Sequence, residues 1–171
     1  MRQMAAPTGR SPRPGPPAKR IKKGDSPPRP VPVVRPRSYA AIDLGTNNCR
    51  LLIARPQDDE LVVIDAFSRI VRLGEGLHAT GRISDAAMDR TVAALAICAD
   101  KLRRRHVTLS RAVATEACRR ASNGVELARR VKEETGIALD IISAAEEARL
   151  AALGCHNLME PGDGPARIFD I

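Results

Sequence analysis

The sequence predicts an α/β domain built on a mixed sheet, and three observations carry that reading. Three apolar strands separated by short turns fill residues 39–73. From Ser84 the apolar spacing becomes that of a helix, near 3.6 residues per turn. Beyond that helix, strand and helix patterns alternate to the end of the chain. The full order is βββ, α, β, α, α, β, α, β, which suits a layered sheet with helices against it.

Tyr39 to Leu44 is a short apolar strand, and Gly45-Thr46-Asn47-Asn48 is a turn of residues that tolerate unusual backbone angles. Cys49 to Ala54 returns antiparallel to the first strand. Pro56 to Glu60 turns again, and Leu61 to Leu73 is a long third strand expected to bend or bulge. From Ser84 to Arg105, Ala87, Met88, Val92, Leu95, Ala99 and Leu102 fall on one helical face, with Ser84 as N-cap. Val107 to Ala114 reads as a strand and Thr115 to Ala121 as a short helix or turn. Asn123 with Glu126 reads as a capping box opening a helix that Gly136 closes. Ala138 to Ile142 is a strand. Ser143 with Glu146 is a second capping box, for a helix running to about Gly154, and Ala166 to Ile171 begins another strand.

Charge divides the chain. Residues 1–38 hold ten Lys/Arg, one acid (Asp25) and ten of the thirteen prolines, whereas the remainder is nearly neutral. Proline removes backbone donors and like charges repel, so residues 1–38 are expected to be disordered and 39–171 to form the domain. The stretch Lys19 to Lys23 is expected to make only weak, salt-sensitive contacts with nucleic acid. Three aromatics and no Trp argue against a base-stacking surface. No apolar run reaches the roughly 18 residues of a membrane span. Without a secretory leader or a CxxC pair, the four cysteines are expected to be reduced thiols of a cytoplasmic protein.

Three segments could carry chemistry. In Asp43 to Asn48, a turn between strands can aim backbone N–H groups at an anion, and Asp43 at the strand end could hold a metal-bound water. An ordinary hairpin turn fits the same residues. In Glu146-Glu147, the first glutamate has a capping role, while the second lies about 100° further round the helix and is free to face a cleft. There it could take a proton from water; a surface acid favoured by the helix dipole is the alternative. In Thr115 to Arg120, an arginine after a strand end could clamp phosphate, but composition does not separate Arg119 from Arg120. Cys118 beside Arg119 is a candidate for a lowered thiol pKa. His78, His106 and His156 are isolated and give no metal motif.

In combination these segments are more specific. Ala41 to Asn48 resembles the first phosphate loop of the actin, sugar-kinase and Hsp70 superfamily. Val71-Arg-Leu-Gly-Glu-Gly-Leu77, Ala114 to Ala121 with Asn123, and Ile141 to Leu150 are similar to one branch of it, the exopolyphosphatase / guanosine pentaphosphate phosphatase (Ppx/GppA) family. The resemblance covers essentially all of 39–171. It implies a ribonuclease-H-like fold, the first of the family's usual two domains, and a Mg²⁺-assisted hydrolase of terminal phosphoanhydride bonds in polyphosphate or pppGpp. It implies Glu147 as general base, Gly45, Thr46, Asn47, Asn48 and Arg119 as phosphate contacts, and Asp43 and Asp170 as carboxylates associated with the cation. Full-length members of such a family are expected to be homodimers. Asn48 stands where the family usually has a serine. The family's second phosphate loop would begin at Asp170-Ile171, so the chain is expected to be a partial product, weakly active alone. Competing readings are an ATP-using actin-like kinase or ATPase domain, and a non-catalytic module that binds polyanions through its tail.

Overall fold

A computed structural model describes residues 37–58 and 60–155. Five strands form one sheet in the order β3-β2-β1-β4-β5. Strands β1 (Tyr39–Leu44), β2 (Asn48–Gln57) and β3 (Glu60–Ile70) make an antiparallel meander. Strands β4 (Leu109–Ala114) and β5 (Leu139–Ile141) continue the sheet parallel to β1. This is the mixed sheet of a ribonuclease-H-like domain. The helices are α1 (Leu77–Thr80), α2 (Asp85–Arg104), α3 (Glu116–Arg120), α4 (Gly124–Thr135) and α5 (Ala144–Cys155).

Alternation along the strands sorts the two faces of the sheet. Ile42, Leu44, Leu51, Ile53, Ala112 and Ala114 are buried in the core with Ala94, Leu95 and Cys98 of α2 and Leu127 and Val131 of α4. Ala41, Asp43, Arg50, Leu52, Arg111 and Val113 face the other way, where Leu150 and Ala151 of α5 line the same pocket. No residue of α5 is fully buried, so its attachment owes little to apolar packing.

The helix periods read from the sequence hold, and the differences have local causes. Ser84 caps α2, its Oγ accepting from the Ala87 N–H at 3.3 Å. Strand β2 runs through Pro56 to Gln57 instead of turning there. Strand β1 stops opposite Ala54, so Pro56 pairs only with Leu61 of β3 and its missing N–H interrupts no central ladder. The expected bulge is in β3: Ile53 and Ala54 pair with Asp65 and Val63, which leaves Ile64 as the extra residue. Strand β3 ends at Ile70; Val71 and Leu73 reach the core from the loop that follows, and α1 was not anticipated. Ser38, assigned to the tail by charge, is buried: its Oγ donates to the His106 carbonyl at 3.1 Å, and the Thr108 N–H donates to the Ser38 carbonyl at 2.8 Å. The rest of the expected tail and the strand expected over 166–171 lie outside the described residues.

Both capping boxes are corrected. The Asn123 side chain does not cap α4. It is buried and clamps Ile83 instead, its Oδ1 accepting from the Ile83 N–H and its Nδ2 donating to the Ile83 carbonyl, both at 2.9 Å. Ser143 does cap α5, its Oγ accepting from the Glu146 N–H at 3.2 Å, but the Glu146 carboxylate turns to arginines rather than back to Ser143.

Candidate active site

The parallel strands β1, β4 and β5 all end at the same side of the sheet, and each candidate segment leaves from one of those ends. Strand β1 leads into Gly45 to Asn48, β4 into Thr115 and α3, and β5 into Ser143 and α5. The Thr115 N–H donates to the Leu44 carbonyl at 3.2 Å, which locks the first two exits together. Crevices outside the carboxyl ends of such strands are where α/β folds bind ligands.

The Gly45–Asn48 loop is held by its carbonyls. The Thr46 carbonyl accepts from the Gly74 N–H at 2.9 Å, and the Asn47 carbonyl accepts from the N–H groups of Val71 and Arg72 at 2.8 and 3.0 Å. A trans peptide places its N–H opposite its C=O, so the Asn47 and Asn48 N–H groups turn away from this supporting segment. That is the arrangement an anion nest needs. The Gly45 N–H is used within the turn, donating to the Asn48 carbonyl at 2.9 Å. A Cβ on Gly74 would collide with the Thr46 side chain, which explains glycine there. Arg90 of α2 braces the segment, donating from Nε to the Val71 carbonyl and from Nη2 to Glu75, each at 2.9 Å.

The two arginines that composition left equivalent differ in space. Arg120 is exposed and pairs with Glu116 one helical turn back. Arg119 is partly buried, and its Nη1 donates to the Ile142 carbonyl at 2.8 Å and to the Glu147 carboxylate at 2.9 Å. Arg119 thus bridges the turn after β4 to the first turn of α5. Its position depends on α4. Gly124 packs against the Cys118 backbone so closely that a Cβ would overlap the Cys118 carbonyl.

Asp43 pairs across the ladder with Arg50 of β2 and with Val113 of β4. Asp43, Arg50, Thr115 and Glu147 line one pocket of about 780 Å³. Its walls are mainly apolar, from Leu52, Phe67, Val113 and Leu150. Among the described residues no three His, Cys, Asp or Glu side chains converge on one point. Asp170 lies outside the described residues. Of the two carboxylates the resemblance associates with the cation, Asp43 lies on this pocket, and a hard cation such as Mg²⁺ takes one or two carboxylates together with waters and substrate oxygens. Cys118 is corrected: burial pushes its thiol up to about 11, while the Arg119 guanidinium is turned to Ile142 and Glu147.

Sequence reasoning missed Arg111. From β4 its Nη2 reaches Asp140 of β5 at 3.1 Å and Glu146 of α5 at 3.3 Å. Glu146 also accepts from Arg149 at 2.7 and 2.9 Å. The Arg149 hydrogen bonds first, then those of Arg111, hold its carboxyl at about 2. Only the i,i+3 spacing of Glu146 and Arg149 was visible in sequence; Arg111 and Asp140 meet through strand register.

Solved structures of known proteins share this fold. The Aquifex aeolicus member of the Ppx/GppA family is 35% identical, with a TM-score of 0.67 over 70% of this chain and 39% of its own. An exopolyphosphatase-like protein is 33% identical, with a TM-score of 0.69 over 76% of this chain and 40% of its own. An exopolyphosphatase from Cytophaga hutchinsonii is 32% identical, with a TM-score of 0.68 over 71% and 39%. The chain therefore matches about two-fifths of the length of these relatives. No helix among the described residues is long and apolar enough to cross a membrane. With the family's sequence pattern matched over residues 52–171, more than half its length, the chain belongs to the Ppx/GppA phosphatase family.

Proposed function

We propose that this chain forms one wall of a site that hydrolyses terminal phosphoanhydride bonds of inorganic polyphosphate or pppGpp. The observation that carries the reading is Arg119 joined to Glu147 beside Asp43, at the shared end of three parallel strands. Phosphoryl transfer asks a protein for positioning and charge neutralisation more than for covalent chemistry. The Thr46–Asn48 backbone and Arg119 would hold phosphate oxygens, and the Glu147 carboxylate would orient an attacking water and take its proton. Asp43, with Asp170, would hold a Mg²⁺ ion, whose chemistry when bound is to neutralise charge on the phosphate oxygens. The family membership supports the reaction class, while the choice between substrates rests on assay.

The test is phosphate release from polyphosphate and from pppGpp by the full-length protein, with Mg²⁺ and with excess chelator, beside the Glu147→Gln variant. The reading expects metal-dependent release that the variant lowers by about 10²- to 10⁴-fold. Undiminished release by Glu147→Gln would remove the proposed base.

A further inference from the structure

Glu146 and Glu147 are consecutive residues of α5, and each is gripped by an arginine from β4 or from α3, which follows it. Arg119 takes Glu147. Arg111 takes Glu146 through both guanidinium Nη atoms, at 3.3 Å each, and takes Asp140 with Nη2 at 3.1 Å. This matters because α5 buries none of its residues. Its N-terminal turn is held by the Ser143 cap and these two arginines. The Ile142 N–H, donating to the Ala114 carbonyl at 3.1 Å, anchors the chain just before it.

We propose that Arg111 is a positioning residue for Glu147: by tying Glu146 and Asp140 to β4, it fixes the rotation and depth of the first turn of α5 and so the place of the Glu147 carboxylate. The inference rests on the proposed role of Glu147 for its catalytic consequence. Its structural content, that Arg111 fixes this turn, stands apart from that role.

The physical case is geometric. Asp140 and Glu146 are two acids on separate elements that approach one another only around Arg111. Without the guanidinium nothing ties the two acids to β4, since Arg149 pairs Glu146 within α5 itself, and α5 has no fully buried residue to resist the displacement, Leu150 and Ala151 being half-buried. Exposed ion pairs add little to global stability. The expected effect is therefore a local loosening, not loss of the fold. A shift of about 1 Å at a reacting group can cost on the order of 10²-fold in rate. A lysine at 111 would offer one compact charge and could hold one of the two acids at a time.

The experiment follows amide hydrogen exchange and phosphate release in the full-length protein for wild type, Arg111→Ala, Arg111→Lys, Glu147→Gln and the double variant Arg111→Ala/Glu147→Gln. Arg111→Ala is expected to speed exchange at residues 145–149 about tenfold or more, with exchange in β1 and α2 unchanged. Its kcat should fall about 10- to 100-fold with KM within about twofold. Arg111→Lys should recover part of both effects, and Arg111→Ala should cost little further in the Glu147→Gln background. Unchanged exchange at 145–149 overturns the proposal. So does a uniform rise across the whole domain, which would mark Arg111 as merely stabilising. If Arg111→Ala does not fold, Arg111→Lys decides by the same local readout. Loss of the local exchange effect with Glu147→Gln still inactive would sink this inference alone; intact turnover in Glu147→Gln would sink the base assignment alone.

Discussion

Arg119 holds the Glu147 carboxylate at 2.9 Å while the same Nη1 holds the Ile142 carbonyl at 2.8 Å. One guanidinium therefore spans the exits of β4 and β5. Among the described residues its other N–H groups hold no hydrogen-bond partner, and the fixed fork presents them in parallel to an incoming anion. A ligand that binds Arg119 is placed next to Glu147 by the same contact.

The first prediction separates the two adjacent arginines. Arg119→Lys should weaken polyphosphate binding about tenfold, because one ammonium cannot hold Ile142, Glu147 and a phosphate in the same geometry. Arg120→Lys, at an exposed pair with Glu116, should be nearly silent. Titration calorimetry on both variants checks this, and greater sensitivity at Arg120 would refute the assignment.

Glu146 and Glu147 should respond differently to amidation. Glu146→Gln keeps the backbone N–H that Ser143 caps and loses the charge that Arg111 and Arg149 share. It should lower phosphate release several-fold. Glu147→Gln should lower it by about 10²-fold or more. Equal rates in the two variants would contradict the division of roles.

Gly124 is expected to be intolerant. Gly124→Ala would drive a methyl into the Cys118 backbone, so α3 must move or α4 must shift. A cost of about 1–3 kcal/mol is expected from overpacking. The displaced Arg119 should also weaken phosphate binding. Urea unfolding and phosphate titration together test both halves. Wild-type behaviour in each would show that the helix start is looser than its packing implies.

Acid should loosen α5 before it melts the core. The Glu146 carboxyl is held at about 2, below its ordinary 4.5, by Arg149 and then Arg111. A depressed carboxylate stabilises fully above its unfolded pKa and loses that contribution as pH falls through the folded value. Asp65, also held at about 2, by Lys101 and Arg105, follows the same sign for β3 against α2. Protection at residues 145–149, measured against the intrinsic exchange rate at each pH, should therefore fall between about pH 4.5 and 2, and Glu146→Gln should abolish that fall. Protection that stays constant with pH in wild type would contradict it.

Thiol chemistry offers a simple accessibility test. Cys118 is buried with its thiol pushed up to about 11, and Cys49 and Cys98 are buried, whereas Cys155 is half-exposed. At pH 8 iodoacetamide should label Cys155 first, and mass spectrometry should find Cys118 protected until denaturant is added. Early labelling of Cys118 would mean that α3 opens readily.

The elements were legible where the pattern was local. Leu95 and Val92 on one helical stripe announce α2, and Ile42 and Leu44 alternate plainly in β1. What sequence could not supply was register. Arg111, Asp140 and Glu146 lie on three elements, and their meeting depends on β4 pairing Val113 with Asp140 of β5. The same holds for Asn123, whose local reading as a cap lost to a clamp on Ile83 forty positions away. A buried amide with two backbone partners at hand satisfies both its donor and its acceptor there, and capping would satisfy one. Arg119 and Arg120 have the same composition on either reading; the five-residue helix that carries them turns one inward and the other to solvent.

The β2–β3 hairpin has a practical use. Strand β2 begins beside the anion loop at Asn48 and travels ten residues to Gln57, a span of about 30 Å at roughly 3.3 Å per residue. Asp58, already in the left-handed backbone region that turns favour, follows immediately. A fluorophore or peptide handle attached there would stand several screening lengths from the site, since charges are screened over about 8 Å in physiological salt. The far tip of the hairpin is thus a position from which binding can be watched, or the protein immobilised, without placing new charge near the substrate.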